Sequence, residues 1–230
     1  MFRVRIFVIT YLFCLILVGL TGCEKSSLNS IDEGEIHYNI TYHDRNAVLP
    51  DELMPNSMTV KFKDDKTLME ITSPIGNNGV FIITEPDEKK IQTYIRILGM
   101  RYYYEGLAGE VPPGINPMDS MQIELTKEED KILDLDCKKA VVTIPDRDFT
   151  YNVWYTRNID IKNPNDSNPF KVIDGVLINF FFLMGDIIIE FEADGIYLKS
   201  ISDKSFEKSD NFRRIDRQSM DDIIGSMMSL

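Results

Sequence analysis

The sequence is poor in the residues from which most catalytic and metal centres are built. Its 230 residues include three cysteines, two histidines and one tryptophan. A zinc site needs several histidine or cysteine ligands at short spacings, and His37, His43 and Cys137 do not supply such a set. There is also no serine nucleophile elbow and no glycine-rich phosphate loop. We therefore expect no metal site, no cofactor and no catalytic residue, and we predict that the chain is not an enzyme.

Basic residues are too few for a nucleic-acid partner. The chain has 25 lysines and arginines against 37 aspartates and glutamates, which gives a net charge of −12 at pH 7. Binding to phosphates needs clustered lysine and arginine side chains. The same charge balance disfavours adhesion of the protein body to an anionic membrane surface. Attachment to a membrane then requires a lipid anchor.

The cysteines do not provide an intramolecular disulfide. Cys14 and Cys23 belong to the N-terminal segment described next, which leaves Cys137 alone. A reactive thiolate needs a base or a positive environment. The adjacent Lys138 does not supply one, because successive strand residues point to opposite faces. We predict that Cys137 is a buried, inert side chain.

The longest apolar run stands at the start of the chain. Two arginines precede an apolar segment over residues 6–20, and the run ends in Leu20-Thr21-Gly22-Cys23. A charged segment, an apolar segment and small residues in this order are typical of a secretory signal. The run is short against the roughly 20 residues that a membrane-spanning helix needs. Its end is similar to the lipobox of bacterial lipoproteins.

This resemblance implies cleavage before Cys23, a diacylglycerol on its sulfur and an acyl chain such as palmitate on its new amine. Residues 1–22 are then a signal peptide, residues 23–33 a polar tether and residues 34–230 a single domain. The protein would be exported and anchored by its lipid in the cell envelope. Residue 24 is a glutamate and not the aspartate that retains lipoproteins at the inner membrane in some bacteria, so the resemblance favours the outer membrane.

Beyond the tether, apolar and polar residues alternate as they do in strands that have one buried and one solvent-exposed face. Ile36, Tyr38 and Ile40 begin the pattern, and around ten such segments follow. Residues 132–144 are predicted to form one strand, and the dipeptide Asp194-Gly195 is predicted to form a two-residue hairpin turn. The Pro- and Asn-rich stretches 112–117 and 163–169 are predicted to be loops.

Only the end of the chain has helical periodicity. Met220, Ile223, Ile224 and Met227 fall at the spacing i, i+3, i+4 and i+7. Ser219 stands where a capping residue is expected. The pattern predicts a short C-terminal helix over Met220–Met228.

Three segments carry a family resemblance. They are Lys131–Ala140 (KILDLDCKKA), Asn152–Thr156 (NVWYT) and Ile173–Ile178 (IDGVLI). They resemble the second half of the envelope proteins that share the fold of LolA and LolB, and more narrowly the GLPGLI family of Bacteroidetes exported proteins. Asp134 stands where a glycine is usual in that family, and Asp174 replaces the proline of its signature.

The resemblance implies a half-open antiparallel barrel with helices plugging its concave side, and it brings no catalytic residues. The expected fold class is thus α+β, mainly β, with a single large curved antiparallel sheet and a short C-terminal helix. A sheet this wide tends to curl.

Two segments are apolar on both faces of their predicted strands, Tyr102–Tyr104 and Phe180–Met184. Strands of this kind are covered on both sides. The candidate apolar ligand face comprises Tyr102, Tyr104, Phe180, Phe182, Met184, Ile223 and Met227.

Two functions stay open. In the first, a non-catalytic envelope lipoprotein holds a lipid, a lipoprotein acyl group or another hydrophobic ligand in a concave apolar face. In the second, a scaffold or accessory subunit docks to another envelope protein without a small ligand. An apolar cavity of roughly 300–1,000 Å³ would support the first function, and a filled core beside an exposed apolar patch would support the second.

The lipobox predicts lipidation at Cys23. Mass spectrometry of the mature N-terminus is expected to find a diacylglyceryl cysteine, because the small residues before Cys23 form the cleavage site. The variant Cys23→Ser is expected to remain uncleaved or unanchored. Wild-type protein that still carries residues 1–22 would contradict the prediction.

Overall fold

The computed structural model describes residues 31–43, 54–74, 78–207 and 211–229. The predicted signal peptide, Cys23 and most of the predicted tether lie outside the described residues. Ile31 already forms an isolated parallel bridge with Ile159, and the first strand begins at Glu33. The last residues assigned to the tether, 31–33, therefore contribute to the fold.

The described residues form twelve strands and one α-helix. The strands are β1 (Glu33–His43), β2 (Ser57–Lys63), β3 (Lys66–Thr72), β4 (Gly79–Glu85), β5 (Lys90–Ile97), β6 (Met100–Leu107), β7 (Gln122–Ile132), β8 (Leu135–Ile144), β9 (Phe149–Thr156), β10 (Val176–Met184), β11 (Ile187–Tyr197) and β12 (Arg213–Arg214); the helix is α1 (Arg217–Ser229). Single turns of 3-10 helix span Pro145–Arg147 and Asp203–Phe206.

All twelve strands belong to one sheet, in the order β12-β6-β5-β4-β3-β2-β1-β11-β10-β9-β8-β7. Each neighbouring pair is antiparallel except β12 and β6, which run parallel. The sheet is open and curved, and the helix lies at the C-terminus of the chain. The predicted fold class is confirmed, with twelve strands in place of about ten.

Three of the hairpins close with two residues at positive φ, as the right-handed twist of paired strands requires. Their turns are Asp64-Asp65, Leu98-Gly99 and Leu133-Asp134. At Asp134, φ is +64°. Aspartate tolerates this left-handed conformation better than most residues do.

The hairpin turns define two ends of the sheet. The proximal end is the one near Ile31, and it carries the turns at residues 64–65, 86–89 and 133–134. The distal end carries the turns at residues 98–99, 145–148 and 185–186.

The structure corrects two strand predictions. Residues 187–197 form one strand through Asp194-Gly195, because the pairing with β1 steps from Gly195 to Ala193 and leaves Asp194 as the extra residue of a bulge. The predicted hairpin turn there is wrong. The segment before Ile132 is the strand β7, which was missed because its charged residues show no apolar alternation.

The helix and the plug of the concave side also differ from expectation. Helix α1 begins at Arg217, and Asp216 caps it by accepting a hydrogen bond from Ser219 N at 2.9 Å. Ser219 is therefore a donor and does not cap the helix. The family resemblance implied that several helices plug the concave side of the sheet. In the structure, one helix and two irregular segments, residues 108–121 and 157–175, cover this side.

The sheet has a large core on its inner face, defined as the face covered by α1 and the two irregular segments. Ile115, Phe170 and Met220 from these coverings join side chains from most of the strands in one cluster. A smaller cluster lies on the outer face, where Ile201, Phe206 and Phe212 pack with Tyr94 and Tyr103. The tyrosine triplet is thus divided, with Tyr103 outside and its two neighbours inside.

Phenylalanines fill the centre of the inner face. Phe170 enters from the irregular segment 157–175, and its ring centroid lies 5.6 Å from that of Phe181 and 6.3 Å from that of Phe182. Phe180 stacks on Phe191 at 5.0 Å. Such ring pairs contribute about 0.5–1.5 kcal/mol each beyond the burial of their area.

A buried asparagine holds the segment that carries Phe170. Asn165 Nδ2 donates to the carbonyls of Ile173 at 2.7 Å and Gly175 at 2.9 Å. Its Oδ1 accepts a hydrogen bond from Asn168 Nδ2 at 2.9 Å, and Asn168 Oδ1 accepts one from Phe170 N at 2.8 Å. These hydrogen bonds satisfy backbone groups that an irregular segment would otherwise bury without partners.

We predict that Asn165→Ala lowers the free energy of unfolding by about 2 kcal/mol, because two buried carbonyls lose their donor. Urea denaturation measures this loss, and the exposed Asn152→Ala is the matched control. Combined with Phe170→Ala, the loss is expected to be less than additive, since both changes release the same segment. Full additivity would show that Asn165 does not hold Phe170 in place.

Candidate functional site

An apolar cavity of about 170 Å³ opens at the distal end of the inner face. We call it the distal cavity. Strands β1, β3, β4, β10 and β11 contribute apolar side chains to it, among them Ile40, Ile71, Val80, Met184 and Phe191. Among its described lining residues, Asn78 is the one polar side chain that is not aromatic, and its Oδ1 accepts a hydrogen bond from Leu98 N at 3.1 Å. The lining of the distal cavity is therefore suited to an apolar group.

Helix α1 forms one wall of the distal cavity. Ile224 and Met227 line it, while Met220 and Ile224 are buried in the inner core. Gly114 lets the helix approach the irregular segment 108–121, because a Cβ at this residue would lie 2.4 Å from Ile224 Cγ2. The φ angle of Gly114 is +84°, which also favours glycine.

A polar clamp fixes the first turns of the helix. Arg217 Nη1 lies 2.7 Å from Glu110 Oε1, and its Nη2 donates to the carbonyl of Val111 at 3.0 Å. Asp221 Oδ1 accepts a hydrogen bond from Gly114 N at 2.7 Å. The same Glu110 oxygen accepts a hydrogen bond from Tyr104 Oη at 2.9 Å. The clamp thus joins β6, segment 108–121 and α1.

The clamp also lowers the pKa of the Glu110 carboxyl. Burial raises the pKa of Glu110, but the hydrogen bonds from Tyr104, Leu107 N and Arg217 outweigh it. The pKa of Glu110 therefore lies below its ordinary value. The carboxylate is charged, and the clamp is intact, at neutral pH.

Leu98 stands at the mouth of the distal cavity in an unusual conformation. Its side chain is 83% exposed and lines the cavity, and its φ is +48°. A left-handed conformation costs an L-residue other than Asn, Asp or Gly roughly 1–2 kcal/mol. The hairpin turn requires this conformation, and it places an exposed apolar side chain at the mouth of the cavity.

The structure does not bring the residues of the candidate ligand face together in one site. Met184 and Met227 line the distal cavity, and Phe182 lines a second cavity at the proximal end. Phe180 is core, and Ile223 packs partly buried against the same core. Tyr104 belongs to the clamp, and Tyr102 Oη lies 3.7 Å from Met100 Sδ.

Sequence reasoning missed several residues of the distal cavity. Ile71 and Val80 belong to strands that alternate in the ordinary way, so nothing in their pattern distinguishes them. Leu98 offered a signal, because a leucine before glycine at a hairpin tip is uncommon in a two-residue turn.

Cys137 is 1% exposed on β8. Burial raises the pKa of its thiol, which disfavours the thiolate.

Among the described residues, no three His, Cys, Asp or Glu side chains form a group that could hold a metal ion. Within the same residues, no helix is long and apolar enough to cross a membrane.

Comparisons with known proteins give a likeness of fold. No family model matches the sequence, and no curated protein matches it. The structure of PNGF-II is similar over 84% of this chain, with a TM-score of 0.53 and 18% sequence identity. The chain spans about a third of that structure, 32% of its length. This likeness shows a shared fold and no more.

Two smaller proteins are more distant. A LolA superfamily protein from Nitrosomonas europaea has a TM-score of 0.33 and 15% identity, over 77% of this chain and 91% of its own. The lipoprotein LppX from Mycobacterium tuberculosis has a TM-score of 0.31 and 11% identity, over 73% of this chain and 88% of its own.

We predict that Glu110→Gln lowers the free energy of unfolding by about 1 kcal/mol at pH 7, because the charged hydrogen bond to Arg217 is weakened. The pKa of Glu110 is lowered by folding, so its stabilisation is present above the ordinary value of 4.5 and is lost as the pH falls through the folded-state value. The difference between wild type and variant should shrink below about pH 4.5. Urea denaturation across this pH range measures it.

Hydrogen exchange gives a local measurement of the clamp. Amides of α1 should exchange faster in Glu110→Gln, while those of β8 and β9 keep their rates. Glu124→Gln, an exposed change on β7, is the matched control. Equal acceleration throughout the sheet would show that Glu110 acts on global stability and not on the helix.

Proposed function

We propose that this chain is a non-catalytic cell-envelope lipoprotein that binds a hydrophobic ligand, such as a lipid or acyl chain, at the distal end of its inner face. The observation that carries the proposal is the distal cavity with its apolar lining and its helical wall. Ligand sites are typically concave and mostly apolar, with few polar groups. The proposed lipid anchor at Cys23 would keep such a binding domain at a membrane, with the outer membrane as the expected location.

The size of the cavity sets a condition on binding. Its volume of about 170 Å³ is below the roughly 300 Å³ at which ligand pockets begin. It is close to the volume of an engineered apolar cavity that holds benzene, about 150 Å³. A longer acyl chain therefore requires one wall to move.

Helix α1 is the wall best suited to move. It has 13 residues, and helices of about this length are marginal in water without tertiary packing. Its attachment depends on the buried Met220 and Ile224 and on the clamp at Arg217. Moving Ile224 away would extend the cavity along the inner face.

A docking function has one observation in its favour. Leu98 and Met100 are 83% and 47% exposed at the distal end, beside the cavity. Exposed apolar side chains that lie close together often mark a site for a protein partner. In this alternative, the chain is a scaffold or accessory subunit that docks to another envelope protein without a small ligand.

Binding of a dansyl-labelled fatty acid tests the proposal. The wild type should enhance dansyl fluorescence at saturating ligand. Met227→Trp should reduce this binding at least about tenfold, because the larger ring fills a cavity of this size, and a loss of about 1.4 kcal/mol corresponds to that factor. Leu125→Trp, at an exposed site on β7, is the matched control.

Changes in the helix and at the mouth of the cavity separate the two functions. Deletion of residues 217–230, or the milder Arg217→Met, should increase dansyl binding and lower the thermal midpoint. Leu98→Asn should weaken binding and raise stability by about 1 kcal/mol, since asparagine tolerates positive φ. If neither the wild type nor the helix variants bind the probe, the distal cavity is unused space in the core and the docking function is favoured.

A further inference from the structure

A second cavity lies at the proximal end of the inner face. Its volume is about 340 Å³, which is within the range of small-ligand sites. We call it the proximal cavity. It lies between the turns at residues 64–65 and 86–89 on one side and the irregular segments 108–121 and 157–175 on the other. It belongs neither to the clamp nor to the distal cavity.

The floor of the proximal cavity is apolar and belongs to the core. Ile82, Ile91, Ile115 and Phe182 line it, and each is at most 5% exposed. Met69 completes this surface from β3. The deep part of the cavity therefore suits the apolar body of a ligand.

The rim of the proximal cavity is acidic. Three aspartates, Asp65, Asp87 and Asp166, line it, and Lys162 is the single cation among its described lining residues. Two negative charges remain after Lys162 is counted. A carboxylate or phosphate ligand would meet repulsion at this rim, whereas an amine would meet attraction.

The one cation at the rim is already paired. Lys162 Nζ lies 2.8 Å from Asp65 Oδ2, and the backbone N of Lys162 donates to Asp65 Oδ1 at 2.9 Å. Both oxygens of Asp65 therefore have a partner. Among the described residues, no cation lies within ion-pair distance of Asp87 or Asp166. Asp87 feels the charge of Lys162 at longer range, but neither Asp87 nor Asp166 has an ion-pair partner among the described residues, so both carboxylates can face a ligand.

We propose that the proximal cavity binds a small cationic amphiphile, with its amine at Asp87 and Asp166 and its apolar body on the floor beside Phe182. A primary amine is protonated at pH 7, since the ordinary pKa of such a group is about 10.4. The site differs from the distal cavity in having charge at its mouth. The proposal goes beyond the binding of hydrophobic ligands at the distal end.

Three probes that share an eight-carbon chain and differ in their polar head group test the site. Isothermal titration calorimetry should show that affinity falls from octylamine to octanol and from octanol to octanoate. Each exposed charge pair is weak on its own, and two carboxylates together should make octylamine bind about tenfold more tightly than octanoate. The preference should weaken in high salt because the rim is exposed.

Variants that neutralise the rim aspartates test whether these residues select the amine. Asp87→Asn combined with Asp166→Asn should remove the preference for octylamine over octanol and leave the binding of octanol unchanged. The matched control combines Glu124→Gln with Asp148→Asn, since both residues are exposed and neither lines the cavity. An equal loss of preference in this control would attribute the selection to overall charge and overturn the assignment of the rim.

Two further measurements locate the ligand. Ala108→Trp should block all three probes, because Ala108 is exposed and lines the cavity, whereas Met227→Trp should not affect them. Methyl chemical shifts of Ile82 and Ile91 should move with octylamine in the wild type, and this measurement depends on no substitution.

The outcomes distinguish this site from the distal one. Octylamine binding that is lost in Met227→Trp and kept in Ala108→Trp would overturn the proximal site and leave the distal proposal intact. Equal affinity for the three probes would overturn the charge selection. Absence of octylamine binding and of methyl shifts would show that the proximal cavity is not a ligand site, whatever the dansyl probe shows.

Discussion

The structure depends on how the inner face of an open sheet is covered. A sheet with a large apolar face must exclude water from it, and here irregular chain does most of this work, with Phe170 at its centre. Irregular chain can be buried only where its backbone polar groups find partners. Asn165 and Asn168 supply those partners from their side chains. The position of Phe170, and with it the packing of Phe180–Phe182, follows from this short polar network.

A cover made of loops fills a curved surface less completely than a matched sheet or several helices would. The phenylalanines fill the centre, and the gaps lie to either side. The distal gap has apolar walls, and the proximal gap has an apolar floor with an acidic rim. Helix α1 closes one gap and is held partly by a salt bridge to Glu110. The covering elements therefore decide where ligands could enter, while the strands supply a rigid apolar floor.

Much of this architecture could be predicted from the sequence, because alternation and helical spacing report which side chains are buried. The helix was found from Met220 and Ile224, both of which are buried. The strand β7 was missed because an edge strand with charges on both faces shows no alternation. The proximal cavity could not be predicted, since segment 157–175 lines part of it. The path of this segment depends on the side-chain hydrogen bonds of Asn165 and the packing of Phe170, which apolar periodicity does not report.

The two edges of the sheet have a consequence for how the protein behaves at high concentration. An unpaired strand is a template on which another chain can add, and long flat edges promote aggregation. At one edge, β7 carries Glu129, Asp130 and Lys131, and its pairing with β8 is interrupted by a bulge. At the other edge, β12 is only two residues long and consists of arginines. The charges and the bulge at one border, and the short arginine strand at the other, disfavour growth of the sheet by addition of another chain.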